Sequence, residues 1–200
     1  LGVSTGLDYL SQCFANTEEL VAVCKELAKY KGIYVTHIRY QLGILEGLRE
    51  AVTIGKRAGV PVHISHLKGS TPEEAEAILA YLSSTATQEV DFSFDVYPYS
   101  ASSTMLSTLL PHEVWTEGCL AAIRKLKEPK VRDLFARRLA KTPLDRIQIA
   151  WTASKHNQDL AGKTLSEYIA LTGKSPADAL LDLLIEENMA VLLVFFQADD

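Results

Sequence analysis

Two histidines occupy corresponding places in two short segments rich in β-branched residues. His37 lies in residues 33–39 (IYVTHIR) and His66 in residues 62–68 (VHISHLK), with an amphipathic helical pattern between them. In a parallel βα barrel the carboxyl ends of the strands converge on one face, so side chains from separate βα units meet there. Imidazole is a common zinc ligand, and a catalytic zinc site needs about three protein ligands and an open position for water. The two histidines are therefore candidate ligands of one metal ion, with zinc as the expected cofactor.

The alternation of side chains along a strand distinguishes His66 from its neighbour His63. In residues 62–68 this alternation places His66 and Lys68 on one face and His63 on the other. We expect His66 and Lys68 at the carboxyl end of the strand. We expect His63 to point toward the covering helices in a structural role.

Polar side chains also end the next predicted strand, which covers residues 90–99. Asp95 and Tyr97 share one face of this strand. Asp95 is a candidate metal ligand or an acceptor for an imidazole N–H, and pairing with Lys68 or Arg39 is an equal alternative. Lys68 and Arg39 are the cations expected to bind a substrate carboxylate, or they are ordinary ion-pair partners.

Helical patterns alternate with these strands in the first half of the chain. The first two helical patterns end near residues 28 and 58, and a third begins at a strong cap in residues 71–74. This alternation predicts a parallel sheet with helical crossovers, and it excludes a sandwich or a helix bundle. A long helical region over about 113–141 has the character of an insertion. A strand at 146–151 and two capped helices that begin near 164 and 175 follow it.

Length and composition limit the class of protein. The chain has 200 residues, of which 48% are hydrophobic, so it can bury a sizeable core. It is nevertheless shorter than the roughly 250 residues typical of a complete βα barrel, and it begins with Leu1. We expect a fragment of a longer protein, in which other segments supply the remaining ligands. We expect the 200 residues alone to bind zinc poorly and to be inactive.

The charge and the cysteines indicate the kind of partner and compartment. With 20 basic and 25 acidic residues the net charge is −5, which argues against a general nucleic-acid or anionic membrane surface and favours a small-molecule substrate. No apolar run approaches the roughly 18 residues that a membrane span requires. Cys13, Cys24 and Cys119 form no CxxC pair, so we expect buried thiols in a reducing, cytoplasmic compartment. The oligomeric state is left open.

Five motifs together resemble one known enzyme family. They are residues 2–7 (GVSTGL), 36–39 (THIR), 64–68 (ISHLK), 95–101 (DVYPYSA) and 162–167 (GKTLSE). In this combination and order they resemble the N-acyl-D-amino-acid deacylase (D-aminoacylase) family of the amidohydrolase superfamily.

The resemblance implies an α/β fold that forms part of a metal-dependent hydrolase TIM (β/α) barrel with a helical insertion. It implies that His37 and His66 bind zinc and that Lys68, Tyr97 and Ser103 bind the substrate. It also implies central βα units over residues 1–100, an inserted region covering the active site over 101–164, and a return to the barrel over 165–200. The implied reaction is cleavage of the C–N bond of an N-acyl-D-amino acid or a related amide.

The chain also departs from the family pattern. The family's early His-containing strand, its zinc-binding cysteine and its catalytic aspartate have no match, so no catalytic acid or base is assigned here. After Arg39 the chain carries Tyr-Gln-Leu-Gly, where the family tends to have an acidic, glycine-rich turn. Two alternatives stay open: a cyclic-amide hydrolase of the hydantoinase or dihydroorotase kind, and a non-catalytic barrel fragment with a binding role.

Overall fold

A computed structural model describes residues 1–9, 12–69 and 71–196, without the side chain of Cys119. The chain divides into two compact units, Leu1–Pro98 and Tyr99–Asp200. Residues 197–200, which the sequence assigns to the barrel, lie outside the described residues. The predicted division at residues 100 and 164 stays a prediction.

The first unit contains a four-stranded parallel sheet with helices along the chain between its strands. The strands, in their order across the sheet, are β1 (Gly2–Gly6), β2 (Ile33–His37), β3 (Val62–Ile64) and β4 (Phe92–Phe94). The helices are α1 (Thr17–Ala28), α2 (Ile44–Ala58), α3 (Pro72–Tyr81) and the short α4 (Thr87–Glu89), with a π-helical turn between α3 and α4. The predicted βα alternation and parallel sheet are therefore confirmed for this unit.

Local capping explains where these helices begin. Asn16 accepts a hydrogen bond from the backbone N–H of Glu19, whose carboxylate accepts in return from the backbone N–H of Asn16. The hydroxyl of Thr71 accepts from the backbone N–H of Glu74 at the start of α3. Such caps satisfy backbone donors that have no partner within the helix, so sequence alone locates these helix starts.

Helices cover one face of the parallel sheet, and the hydrophobic core of the first unit lies between these helices and the sheet. Tyr34, Val62 and Ile64 are fully buried in this core. In the register of the sheet, Tyr34 pairs with Val62, and Val35 pairs with His63. His63 therefore lies on the face that points away from the helices, together with Val35 and His37.

The second unit contains a three-stranded antiparallel sheet with a separate core. Its strands are β5 (Ala101–Met105), β6 (Ile147–Thr152) and β7 (Val191–Phe196), in the order β5-β7-β6. Its helices are α5 (Cys119–Lys125), α6 (Pro129–Leu139), α7 (Leu165–Thr172) and α8 (Pro176–Glu186). The single helical region predicted over 113–141 is instead two helices, because Pro129 begins a new helix at its first position.

The described residues thus form a mixed α/β fold, and a complete barrel stays a prediction. In the described part of the chain, no helix is both long enough and apolar enough to cross a membrane.

Candidate metal centre

The carboxyl ends of three neighbouring parallel strands bring together the polar side chains of the first unit. Asp8 follows β1, His37 ends β2 and His66 follows β3. Because the three strands are adjacent and parallel, their carboxyl ends lie at one edge of the sheet. The sequence predicts that His37 and His66 lie close together, and they do so in the structure.

The two imidazoles face each other closely. Nδ1 of His37 lies 3.1 Å from Nε2 of His66, and the ring centroids are 4.8 Å apart. Two nitrogens that bind one tetrahedral zinc ion, each at its usual bond length, lie about 3.3 Å from each other. The spacing of this pair therefore fits two adjacent ligands of one ion.

The environment of His66 favours the neutral imidazole. Its Nδ1 atom is buried and has no hydrogen-bond partner among the described residues. Burial lowers the pKa of His66 below its ordinary value of 6.5, and the nearby His37 lowers it further. A neutral imidazole is the form that binds a metal, so the environment of His66 suits a ligand.

The described residues supply only part of a coordination shell. Among them, no group of three or more His, Cys, Asp or Glu side chains is arranged to hold a metal ion. Cys13 and Cys24 are buried, as the sequence predicts. The two imidazoles of His37 and His66 are suitable zinc ligands. A complete zinc site needs at least one further protein ligand.

The prediction that His63 points toward the covering helices is wrong. Strand β3 ends at Ile64, and His66 lies in a turn with a φ of 42°, so alternation along the strand does not extend to His66. The apolar Val62 and Ile64 pack on the helices instead, which leaves His63 on the opposite face. There its ring lies 2.9 Å from the hydroxyl of Ser93 and 2.9 Å from the carboxylate of Asp95.

Asp95 stabilises the turn that carries His66. Its carboxylate accepts a hydrogen bond of 2.6 Å from the backbone N–H of His66, and its backbone carbonyl accepts one from Leu67. The bonds from His63 and from the His66 backbone hold the pKa of Asp95 below its ordinary value. Asp95 therefore accepts hydrogen bonds from an imidazole and from the backbone, and one of the alternatives from the sequence is such an acceptor role. The other alternative, pairing with Lys68 or Arg39, is not observed among the described residues.

Lys68 and Tyr97 lie close together beside His66. The ammonium of Lys68 is 3.3 Å from the hydroxyl of Tyr97 and lies over the rings of Tyr40 and Tyr97, 5.4 and 5.7 Å from their centroids. The hydroxyl of Tyr40 donates to the backbone carbonyl of His66, and burial raises the pKa of this tyrosine. The predicted pair of substrate-binding residues thus forms one cluster, with Tyr40 as a member that the sequence analysis missed.

Arg39 has a structural role in the first unit. Its guanidinium donates to the backbone carbonyls of Cys13 and Ala15 and to the carboxylate of Glu50. With its donors directed to these groups, Arg39 is an ion-pair partner, as the second of the two alternatives for this residue states.

Ser103, the remaining predicted substrate-binding residue, lies in β5 of the second unit. Its hydroxyl donates a hydrogen bond of 2.9 Å to the backbone carbonyl of Leu193 in β7. Its predicted role in substrate binding stays a prediction.

Asp8 is a further functional candidate, besides Tyr40, that the sequence analysis did not identify. Its carboxylate lies 3.3 Å from Nε2 of His37 and accepts from the backbone N–H of Tyr40. The glycine-rich segment before it is strand β1, although it carries no pattern of alternating apolar residues. The available signal was its position, because an acidic residue directly after a strand of a parallel sheet lies at the same edge as the histidines.

Comparison of the sequence with characterised proteins identifies related enzymes. The D-aminoacylase of Alcaligenes xylosoxydans xylosoxydans is 40% identical over 114 residues, which cover 53% of this chain and 22% of that protein. The N-acyl-D-glutamate deacylase of the same organism is 32% identical over 110 residues, with the same two coverages. The chain is similar to D-aminoacylases. No protein-family model matches it.

Solved structures show the same similarity over nearly the whole chain. A crystal structure of D-aminoacylase that defines a novel subset of amidohydrolases has a TM-score of 0.66 and 31% identity. A D-aminoacylase structure concerned with its binuclear metal centre has a TM-score of 0.67 and 30% identity. Each comparison covers 99% of this chain and 35% of the solved chain, so this chain spans about one third of those proteins.

A third structure shares the fold at lower identity. It is the N-acyl-D-glutamate deacylase of Bordetella bronchiseptica, complexed with zinc and a phosphonate inhibitor that mimics the tetrahedral intermediate. Its TM-score is 0.70 and its identity 24%, over 98% of this chain and 34% of that one. At this identity the comparison supports the fold alone.

Proposed function

We propose that the protein containing this chain is a zinc-dependent amidohydrolase that cleaves the C–N bond of N-acyl-D-amino acids or related amides. The observation that carries the proposal is the pair of His37 and His66 at adjacent strand ends, in a chain similar to D-aminoacylases. The parallel sheet of the first unit is proposed to be part of a βα barrel, and a cytoplasmic location is proposed with it.

In this proposal the two histidines hold the metal ion through Nδ1 of His37 and Nε2 of His66. A zinc ion bound there would polarise a scissile carbonyl and lower the pKa of a bound water to about 7. The catalytic acid or base is assigned to residues outside this chain.

Lys68 and Tyr97 are proposed to orient the substrate. The ammonium of Lys68 supplies a positive charge for the carboxylate of an acylated amino acid, and the rings of Tyr40 and Tyr97 hold this ammonium beside His66. The hydroxyl of Tyr97 adds a second polar group at the same place. Together these groups favour a small anionic substrate.

Ser103 is proposed to contact the substrate as an acceptor. Its hydroxyl proton is donated to the carbonyl of Leu193, so the oxygen has lone pairs available but no second proton to donate. An amide N–H is therefore a suitable partner for it.

The test is a substrate panel on the purified parent protein. We expect release of the free amino acid from N-acyl-D-amino acids, and a loss of activity of at least about 100-fold in the His37→Gln variant, which removes a metal ligand. Hydrolysis of hydantoins or dihydroorotate instead would contradict the substrate class. Unchanged hydrolysis and metal content in His37→Gln would contradict the metal-dependent mechanism.

A further inference from the structure

Asp8 contacts the edge of the His37 ring that faces away from His66. Its Oδ2 atom lies 3.3 Å from Nε2 of His37, whereas Nδ1 of the same ring lies 3.1 Å from His66. The two nitrogens are on different edges of the imidazole, so Asp8 and His66 contact the ring from two sides. Asp8 is therefore placed behind the proposed ligand atom rather than beside the ion.

The backbone holds Asp8 in this position. Oδ2 also accepts from the N–H of Tyr40 at 3.1 Å, and Oδ1 accepts from the N–H of Gln41 at 3.4 Å. The side chains of His37 and Asp8 are only 15% and 17% exposed, and the ring of Tyr9 packs on His37 with a centroid distance of 4.8 Å. The carboxylate has little freedom to turn away from the histidine.

A carboxylate at Nε2 determines which tautomer of the neutral imidazole is favoured. A carboxylate only accepts hydrogen bonds, so the proton of His37 is stabilised on Nε2, and Nδ1 keeps its lone pair. That lone pair points to the side of His66, where the proposed ion binds. Metal-binding histidines commonly donate their other N–H to a carboxylate in this way, which fixes the tautomer and the ring orientation.

We infer that Asp8 is a positioning residue that holds the Nε2–H tautomer of His37 and thereby presents Nδ1 to the metal ion. The inference rests on the metal site of the proposed function and adds to it a residue that is not itself a ligand. It does not depend on which amide the protein cleaves.

The test compares Asp8→Asn with Asp91→Asn in the full-length protein. In Asp8→Asn the negative charge is lost. An amide oxygen at the position of Oδ2 still accepts from the backbone N–H of Tyr40, but it is a weaker acceptor for Nε2–H of His37, because the same atom contacts both groups and is no longer charged. The preference for the Nε2–H tautomer is therefore weakened, and the Nδ1–H tautomer, which blocks the proposed ligand atom, becomes more populated. Asp91→Asn is the matched control, because this exposed residue follows α4 and precedes β4, and the substitution removes the same charge.

Two readouts are used, and neither requires enzyme turnover. The first is zinc affinity from competition with a chromophoric chelator, for which we expect about a 10- to 100-fold loss in Asp8→Asn and none in Asp91→Asn. The second is the tautomer of His37 from long-range ¹H–¹⁵N NMR of the metal-free protein. We expect Nε2–H in the wild type and a shift to Nδ1–H in Asp8→Asn.

Several results would overturn the inference. They are an Nδ1–H tautomer in the metal-free wild type, unchanged zinc affinity in Asp8→Asn, and an equal loss in Asp91→Asn. The tautomer of His37 in the wild-type protein tests the inference even if Asp8→Asn does not fold. Zinc binding that depends on Asp8 in a protein without amidohydrolase activity would support the inference while refuting the proposed function.

Discussion

Glu187 is a buried carboxylate whose side chain organises a loop of the second unit. It is 2% exposed and accepts hydrogen bonds from the backbone N–H and hydroxyl of Ser154 and from the side-chain amide of Asn157. Burial alone would raise its pKa, but these hydrogen bonds outweigh burial and hold the pKa below the ordinary value of 4.5. The ionised form of Glu187 therefore stabilises the folded second unit.

A lowered pKa predicts a loss of stability on acidification. Because the folded state binds this proton more weakly than the unfolded state, the stabilisation is fully present above the ordinary value of 4.5 and is lost as the pH falls through the folded value. Glu187→Gln should lower the free energy of unfolding at pH 7 by about 2 kcal/mol and weaken its dependence on pH below 5. Urea denaturation followed by tryptophan fluorescence measures this, since Trp115 and Trp151 both lie in the second unit.

Glu186→Gln is the control for this prediction. The side chain of Glu186 is 51% exposed and lies 3.9 Å from the exposed His156, so its substitution should change the stability by less than about 0.5 kcal/mol. Equal effects of the two substitutions would show that the buried hydrogen bonds of Glu187 contribute nothing specific.

The sequence predicts that His37 and His66 lie close together, because each histidine lies at the carboxyl end of a strand pattern. It does not predict which face His63 occupies, because β3 is short and His66 lies beyond it with a positive φ. The sequence does not predict that Asp8 lies beside the histidines, because the strand before it contains no alternating apolar residues and is not recognised as a strand. The partners of Asp95 depend on the register between β3 and β4, and a single strand pattern carries no information about that register.

At the level of elements, Arg39 connects β2 to the segment before α1 and to α2. Its guanidinium binds the carbonyls of Cys13 and Ala15 and the carboxylate of Glu50, and the two charged side chains are 13% and 11% exposed. A planar guanidinium can reach three such acceptors at once, whereas the ammonium of lysine is a compact group on a flexible stem. This geometry predicts a large loss of stability when Arg39 is replaced by lysine, although the positive charge is kept.

Arg39→Lys should destabilise the first unit by about 2–3 kcal/mol, because it leaves partly buried acceptors without donors. Hydrogen exchange of the amides in β1 and β2 measures this change within the first unit. Arg57→Lys is the control, since the pair of Arg57 with Glu18 is exposed to solvent and should contribute little to stability. An effect of Arg39→Lys no larger than that of Arg57→Lys would refute the structural role of Arg39.

Helix starts are predicted better than strand ends because caps are local and strand pairing is not. Asn16 and Thr164 each form a capping box with a residue three positions later in the chain. The strand patterns over 33–39 and 62–68 correctly locate β2 and β3 but are longer than either strand, because a strand ends where its neighbour no longer pairs with it.

At the level of the whole molecule, the two units differ in how well the sequence predicts them. The parallel sheet of the first unit follows from the repeated alternation of helix and strand. The antiparallel sheet of the second unit joins β5 to β7, which are far apart in the chain, and no local pattern reports such a pairing. The chain spans 35% of the solved D-aminoacylase chains, so ligands beyond His37 and His66 are expected from the rest of the protein.

The central claim is that His37 and His66 bind one metal ion and that His63, close by in the sequence, does not. The most direct test is the zinc content of the purified full-length protein and of its His37→Gln, His66→Gln and His63→Gln variants, with circular dichroism as the control for folding. We expect the first two variants to lose the zinc and His63→Gln to retain the wild-type content. Full zinc content in His37→Gln and His66→Gln, or an equal loss in His63→Gln, would contradict the claim.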